Sequence, residues 1–342
     1  MAATRQPFAR LGLDLATSPM EARLVDHLPE GEGWQYEPKW DGFRCLAFRD
    51  GDAVRLQSKA GKPLTRYFPD VEEMLAALGA RRFVLDGEIV IPVDGRLSFD
   101  DLLQRIHPAA SRVEKLAAEH PARVLVFDLL VDERGRSLVK LPLAERRRRL
   151  EAFAGKYFPR GGAVRLSRAT SRRATALNWL ATGGGGELDG VVAKRLSLPY
   201  RSGERDGMVK VKRQRTADCV VGGFRYASRG REVGSLLLGL YDRKGFLNHV
   251  GFCSSLDAGV RKGLLEKLEG LAGPPGFTGK APGGPSRWST ERSAEWTPLR
   301  PELVVEVGFD HVTGGRFRHG TRFVRWRPDK APKQCTMAQL EG

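Results

Sequence analysis

Features that mark several common protein classes are missing from this 342-residue sequence. Its four cysteines, at positions 45, 219, 253 and 335, form no CxxC pair, which argues against a zinc site and against a disulfide framework. No apolar run approaches the ~20 residues that cross a bilayer, and the first residues lack the apolar core of a signal peptide. We therefore expect a reduced, cytoplasmic protein without membrane association.

The common nucleotide-binding motifs are absent as well. Lys62 and Lys280 each follow a glycine, but Pro63 and Ala281 come next, so neither lysine completes GxxxxGK[ST]. The TGGGG run at 182–186 precedes a predicted strand rather than a helix, which favours a turn over a phosphate-binding loop. GxGxxG after a strand, HExxH and GxSxG are also missing. These absences argue against hydride transfer and P-loop chemistry.

Positive charge is in clear excess. Lys and Arg number 57 against 41 Asp and Glu, which gives a formal net charge of +16. The excess is +10 before residue 216 and +6 from there on, so both parts of the chain are basic. Nucleic acid is the commonest partner of such a protein, and an arginine-rich proteome is the alternative explanation. Only 15 of the 57 basic residues are lysine, so the motifs that contain lysine stand out.

The pattern of strands and helices predicts an α+β fold in two domains. Before about residue 215, β-rich runs such as WQYEPKW, FRCLAFRD and RFVLDGEIVIPV follow one another across turns, which favours α+β over a doubly wound sheet. After it, about five short strands and one helix, GVRKGLLEKLEGL, are typical of a small OB-type barrel. We therefore predict domains at 1–215 and 216–342.

Three local predictions concern helices. MEARLVDHL is predicted to form a short helix, and VEEMLAALG a second one with Asp70 as its N-cap. The four arginines at 146–149 lie in a predicted helix, LPLAERRRRLEAF. Contact with DNA and a solvated helix face both explain this run, and we favour the solvated face.

The sequence around Lys39 has the features of a nucleophilic lysine. In residues 37–44 (EPKWDGFR) the lysine lies between two predicted strands, beside aromatic residues and before Asp-Gly. An amine attacks only when it is deprotonated, so a pKa near 10.4 has to fall. Partial burial and nearby cations both have that effect. A surface lysine in a hairpin explains the same eight residues.

Further lysines and carboxylates occur at strand ends. Glu88 in LDGEI and Asp189 in LDGVVAKR are carboxylates of the kind that hold Mg²⁺ together with water. Lys210 and Lys212 share a strand face, where they repel each other unless an anion such as a triphosphate lies between them. A solvated edge strand protected by lysines is the alternative. Phe127 ends a predicted buried strand and either offers a ring to a purine or belongs to the core.

Taken in order, these motifs resemble the covalent nucleotidyltransferases, which include ATP-dependent DNA ligases, RNA ligases and capping enzymes. KxDG, LDGEI, VFDLL, LDGVVAKR and VKVK are followed at 316–330 by a basic run similar to the family's final RxDK motif. The motifs extend from residue 37 to residue 330, and they are most similar to the small two-domain bacterial ATP-dependent DNA ligases. In the fourth motif Asp189 stands where Glu is usual, and Glu187 lies two residues earlier. We prefer Asp189 as the metal ligand because it keeps the register.

The resemblance implies a nucleotidyltransferase domain of antiparallel sheets with helices, an OB-fold domain, and three chemical steps. Lys39 attacks the α-phosphate of ATP, AMP passes to the 5′-phosphate at a nick, and the 3′-hydroxyl then seals the strand. The divalent ion is Mg²⁺, with Mn²⁺ as the alternative. The resemblance also implies a role for each further motif: Lys210 and Lys212 contact the α-phosphate, and Glu88 and Asp189 contact the metal and the ribose. Phe127 and Glu37 bind the adenine, and Arg44, Ser58 and Lys59 lie near the ribose, a phosphate or the nick. Arg327, Asp329 and Lys330 orient the pyrophosphate.

The partner implied by this resemblance is nicked double-stranded DNA, bound mainly through its phosphates because a ligase acts on any sequence. We expect a monomer that works with DNA-repair proteins, and both nick repair and end joining remain open. An RNA ligase or a capping enzyme is the first competing interpretation. A DNA-binding module without catalysis is the second, although the intact lysines at 39, 210, 212 and 330 argue against it.

Overall fold

The computed structural model describes residues 8–183, 188–213, 215–228, 230–283 and 295–340. Strands and helices are mixed along the chain, and most neighbouring strands are antiparallel, as an α+β fold requires. Within these ranges, no helix combines the length and the apolar content that a membrane crossing needs. The chain divides into two compact units, Met1–Arg213 and Gln214–Gly342, here called the first and the second unit.

The first unit contains two main sheets. One has the strand order β1-β11-β10-β2, the other has the order β4-β3-β5-β8-β9, and β6 pairs with β7. The strands are β1 (Arg23–Leu24), β2 (Trp34–Trp40), β3 (Phe43–Asp50), β4 (Ala53–Ser58), β5 (Arg82–Val90), β6 (Pro92–Val93), β7 (Arg96–Leu97), β8 (Arg123–Val131), β9 (Val164–Leu166), β10 (Leu188–Arg195) and β11 (Met208–Lys212).

Helices pack on both of these sheets. The helices are α1 (Pro69–Ala77), α2 (Phe99–Arg105), α3 (Ala110–Glu119), α4 (Leu143–Tyr157) and α5 (Arg173–Thr182). Helix α4 packs on β8, and α5 packs on β10 and β2. In β10, Val191 and Ala193 are buried in the apolar cluster that includes Ala176 of α5. Because strand residues alternate between faces, Val192 and Lys194 therefore point away from α5.

The second unit is a closed β-barrel. Its strands are β12 (Arg215–Tyr226), β13 (Val233–Tyr241), β14 (Leu247–Ser255), β15 (Thr297–Pro298), β16 (Val304–Phe309), β17 (Val312–Thr313), β18 (Arg316–Phe317) and β19 (Thr321–Trp326). Pairing runs from β12 through β13, β14, β19 and β16 back to β12, and only the β14–β19 pair of this ring is parallel. Helices α6 (Ala258–Arg261) and α7 (Leu264–Glu269) lie between β14 and β16 in the chain. This ring is the OB-fold that the sequence predicts.

The prediction for the arginine run at 146–149 was wrong for its first half. Arg146 is buried, and its Nε and Nη2 each donate to the Asp128 carboxylate at 2.9 Å. Arg147 is also buried and donates to the Ser167 carbonyl oxygen at 3.0 Å. A run of identical charges does not reveal which residues face the sheet, and here a buried carboxylate on β8 compensates the inward-facing arginine.

Other helix predictions also fail locally, two for a tertiary reason and one because of a local backbone conformation. Residues 20–28 form no helix, because Arg23–Leu24 instead adds a strand beside β11. Helix α1 begins at Pro69, one residue before Asp70, and the Asp70 carboxylate instead binds Arg105. The single helix expected at 259–271 is divided at Gly263, whose φ of +68° interrupts the helical backbone.

We expect Arg146→Met to destabilise the first unit by about 3–5 kcal/mol, because it leaves Asp128 as a buried charge without its partner. Arg148→Met is the matched control, since Arg148 is exposed and pairs with Glu145 in the same helix. Its effect should stay below about 1 kcal/mol. Urea unfolding followed by tryptophan fluorescence measures both. Equal losses for the two variants would show that the buried pair contributes nothing special.

Candidate active site

A cavity of about 200 Å³ lies between the two main sheets of the first unit. β2, β10 and β11 form one wall, and β3, β5 and β8 contribute the other through Arg44, Glu88 and Phe127. Residues 19–22 close one side. Of the residues singled out from the sequence, those that line the cavity are Glu37, Lys39, Arg44, Lys59, Glu88, Phe127 and Lys210.

The register of β2, β10 and β11 explains why Lys39 and Lys212 lie on the same face of the sheet. Gly190 of β10 lies opposite Lys39 of β2 on one side and opposite Lys212 of β11 on the other. Residues opposite each other in a sheet share a face, so both lysines point to the face away from α5. One pleat along, Val192 separates Glu37 from Lys210 in the same way.

Two glycines of the motifs are required by close backbone approach. A Cβ at Gly190 would lie 2.1 Å from the Val211 carbonyl oxygen. A Cβ at Gly42 would lie 2.3 Å from the Ile89 carbonyl oxygen and 2.8 Å from Cγ of Glu88. Neither position accepts a side chain without a backbone shift, so these glycines let the strands that carry Lys39 and Glu88 lie close to their neighbours.

Asp189 binds the Lys39 ammonium through its Oδ2 atom. Strict alternation would turn Asp189 toward α5, like Val191, but the register shifts between Leu188 and Gly190. This irregularity re-aims the carboxylate, which is a known effect of a β-bulge. Asp189 is only 7% exposed, so its charge is held inside the protein beside Lys39. Glu187, the alternative carboxylate of this motif, lies outside the described residues.

Glu88 and Arg44 face each other across β5 and β3. The Arg44 guanidinium is held by a fork to Asp86, with Nε–Oδ1 and Nη2–Oδ2 distances of 2.6 and 2.7 Å. The Tyr200 hydroxyl donates to the same Asp86 carboxylate at 2.7 Å. Burial raises the pKa of Glu88 to about 7, although the Arg44 and Lys39 charges act in the opposite direction. Glu88 is half-buried, and its desolvation outweighs the effect of these two cations on its pKa.

The ring of Phe127 makes cation–π contacts with two side chains. The Arg44 guanidinium carbon and the Lys194 ammonium each lie 4.5 Å from the ring centroid. Lys194 also donates to Glu37 at 2.7 Å, and Glu37 is almost fully buried. Lys194 is not among the site residues predicted from the sequence. Its position four residues after Gly190 on the same strand could have identified it, because that spacing returns to the cavity face.

The remaining lysines place further positive charge at the cavity. Burial lowers the pKa of Lys210, and the charges of Lys39, Lys212 and Lys59 lower it further. Lys59 pairs with Glu21 at 3.0 Å, and Glu21 is a second cavity residue that was not predicted from the sequence. Ser58 is not in the cavity wall; its hydroxyl accepts a hydrogen bond from the Lys62 amide at 3.1 Å. Such a concentration of like charge favours a polyanionic ligand.

The three residues of the final motif lie in the second unit. Arg327 and Lys330 each donate to Asp218 at 2.7 Å, on different carboxylate oxygens. Asp329 accepts a fork from Arg327, with Nη2–Oδ2 at 2.8 Å and Nε–Oδ1 at 2.9 Å. The carboxylate of Asp329 thus orients an arginine, and the two cations of the motif are held side by side.

Comparison with known proteins supports this description. Residues 19–212 match the family model of the ATP dependent DNA ligase domain, and residues 229–330 match the ATP dependent DNA ligase C terminal region. DNA ligase C1 of Mycolicibacterium smegmatis is 46% identical over 334 residues, which cover 94% of this chain and 93% of that protein. DNA ligase C of Mycobacterium tuberculosis is 42% identical over 342 residues, which cover 95% and 93%.

A solved structure of a Lig E DNA ligase shares the fold. It is 17% identical in sequence, with a TM-score of 0.51 over 91% of this chain and 99% of that one. The cavity with its lysines, the closed barrel and the two family models lead to one assignment, expected from the motifs and confirmed by the relatives. The chain belongs to the ATP-dependent DNA ligase family and is an enzyme that joins DNA strands with ATP as cosubstrate.

Proposed function

We propose that Lys39 is the residue that carries AMP during the reaction. The observation behind this proposal is the position of its amine, which lines the cavity, contacts Asp189 and lies in the same strand row as Lys212. Lys194 and Lys59 also line the cavity, but Lys194 is paired with the buried Glu37 and Lys59 with Glu21. Lys210 is the competing nucleophile, because its pKa is lowered.

The proposed chemistry proceeds in three transfers. The neutral Lys39 amine attacks the α-phosphorus of ATP, a P–N bond forms, and the bond to the bridging oxygen breaks as pyrophosphate leaves. The nick's 5′-phosphate oxygen then attacks the same phosphorus, so the P–N bond breaks and AMP moves to the DNA. Finally the 3′-hydroxyl oxygen attacks the activated 5′-phosphate, a phosphodiester bond forms, and AMP leaves.

The roles in this chemistry divide by charge among the cavity residues and Lys212, which lies in the strand row of Lys39 but not in the cavity wall. Lys210 and Lys212 are proposed to stabilise the charge that develops on the α-phosphate oxygens. Phe127, with Glu37 and Lys194 beside it, is proposed to bind the adenine ring. Arg44, held by Asp86, and Lys59, which also lines the cavity, are proposed to contact the ribose or a phosphate. Ser58 lies next to Lys59 in the chain and is proposed to lie near the nick.

Glu88 and Asp189 are proposed to hold Mg²⁺, with Mn²⁺ as the alternative. The raised pKa of the half-buried Glu88 fits this role, because a cation stabilises the charged form of a partly desolvated carboxylate. In the described part of the chain, no group of three or more His, Cys, Asp or Glu side chains could hold a metal. Mg²⁺ does not require such a group, since it binds through one or two carboxylates plus phosphates and water. Bound there, the ion would neutralise charge on the phosphates.

The proposed DNA substrate is a nicked duplex, held mainly through phosphates and used in DNA repair. The net charge of +16 supports phosphate-directed binding, which predicts strong salt dependence and little base preference. We assign residues 1–215 as the adenylation domain and residues 216–342 as the OB-fold domain, in a protein that acts as a monomer. Arg327 and Lys330, with Asp329 as the orienting carboxylate, are proposed to assist the departure of pyrophosphate.

Replacement of the proposed nucleophile should stop the first step. Lys39→Ala is expected to lose the covalent label from radioactive ATP and the sealing of an unmodified nick, because no other amine replaces Lys39. A pre-adenylated nick should still be sealed slowly, since the last step needs no lysine nucleophile. Lys62→Ala, which removes an exposed lysine outside the cavity wall, is the control. Labelling of the Lys39→Ala protein at the normal rate would move the nucleophile elsewhere.

Lys330→Ala should slow the first step far more than the last. Loss of one charge at the leaving pyrophosphate is expected to raise the barrier by about 2–4 kcal/mol, the scale of one lost transition-state donor. Single-turnover rates of adduct formation and of sealing on a pre-adenylated nick separate the two steps. Lys333→Ala, an exposed lysine three residues away, should change neither rate. Equal slowing of both steps in Lys330→Ala would instead indicate a role on DNA.

The metal assignment is tested by substitutions that keep shape and remove one charge. Glu88→Gln and Asp189→Asn should each raise the Mg²⁺ concentration needed for half-maximal adduct formation. Their effects need not add, because both carboxylates lie near Lys39. Glu187→Gln should have a much smaller effect. Unchanged metal dependence in Asp189→Asn together with a strongly impaired Glu187→Gln protein would assign the fourth motif's carboxylate to Glu187.

A further inference from the structure

Asp218 connects the two cations of the final motif, and it lies outside that motif in the sequence. It belongs to β12, the first barrel strand in the chain, whereas Arg327 and Lys330 come after β19, the last barrel strand in the chain. Its Oδ1 atom accepts from Arg327 Nη1 and its Oδ2 atom accepts from Lys330 Nζ, both at 2.7 Å. Asp218 is 7% exposed, so water screens these contacts poorly.

The backbone of Asp218 is fixed as well as its side chain. The Gln339 side chain accepts a hydrogen bond from the Asp218 amide at 2.9 Å and donates to the Asp218 carbonyl oxygen at 3.0 Å. In the barrel, Asp218 also lies opposite Glu306 of β16. The strand is thus held on both sides at this residue, which fixes the carboxylate in space.

Charge explains why a carboxylate is needed at this point. Arg327 and Lys330 would repel each other if they were brought together alone, and the shared carboxylate makes their proximity favourable. Asp329 does not replace it, because its carboxylate is mostly exposed and pairs with Arg327. Glu306 is farther from Arg327, at 3.7 Å. Asp218 is the buried carboxylate in direct contact with both cations.

We propose that Asp218 is a positioning residue that sets Arg327 and Lys330 for their action on pyrophosphate. The proposal rests on the proposed role of these two cations in the first step. Asp218 itself is an anion and does not bind the leaving group; it acts through the head groups that it orients. Catalytic groups misplaced by about 1 Å lose rate by about a hundredfold, so this orientation has a large kinetic effect.

The test compares Asp218→Asn with wild type in three assays on the full chain. Adduct formation should slow by about a hundredfold, the scale for misplaced catalytic groups. The KM for pyrophosphate in the reverse reaction, which regenerates ATP from the adduct, should rise. Sealing of a pre-adenylated nick should be unchanged, which also shows that the variant is folded. Glu302→Gln removes a carboxylate from the exposed Arg300–Glu302 pair of the same unit and should change none of these.

A double-variant comparison separates this proposal from the proposed function. If Asp218 acts through the cations, Asp218→Asn should slow adduct formation much less in a Lys330→Ala background than in wild type. Asp218→Glu keeps the charge one methylene away and should fall between wild type and Asp218→Asn. Full-rate adduct formation by Asp218→Asn, or equal slowing of adduct formation and sealing, would overturn the positioning role. If Lys330→Ala itself leaves adduct formation intact, the proposed function of the motif fails instead.

Discussion

The register of β10 between β2 and β11 is the constraint on which the proposed active site depends. It aligns Lys39, Gly190 and Lys212 in one row across three strands. A shift of one residue would turn the lysines toward the apolar packing under α5. Gly190 keeps the row close, since any Cβ there meets the Val211 carbonyl oxygen. The irregularity before Gly190 then lets Asp189 reach the same face as Lys39.

Compensation of positive charge is the second condition that the fold meets. A ligand with several phosphates needs many cations, and these repel one another while the ligand is absent. Most of these cations pair with a carboxylate, both at the cavity and in the barrel. These pairs are Lys39–Asp189, Arg44–Asp86, Lys59–Glu21, Lys194–Glu37, Arg327–Asp218 and Lys330–Asp218. Glu88 differs from these carboxylates, because desolvation raises its pKa and an added cation would stabilise its charged form. We therefore propose Glu88 as a ligand of the divalent ion.

Order and type of the motifs were sufficient to predict the α+β fold, the OB barrel and the family. Strand alternation was sufficient to predict that Lys210 and Lys212 share a face. Tertiary partners were not predictable in this way: Arg146 is buried because Asp128 lies opposite it, and no local pattern reveals that contact. The role proposed for Asp218 was not predictable for the same reason, since its partners Arg327 and Lys330 are more than a hundred residues away in the chain.

The most direct test of this account is the identity of the residue that carries AMP. The protein would be incubated with ATP and Mg²⁺, digested, and its fragments analysed by mass spectrometry under conditions that preserve a P–N bond. The account predicts one fragment with an added AMP, and fragmentation should place it on Lys39. AMP on Lys210 would contradict the assignment of roles within the cavity. AMP on a lysine outside the cavity would contradict the site itself.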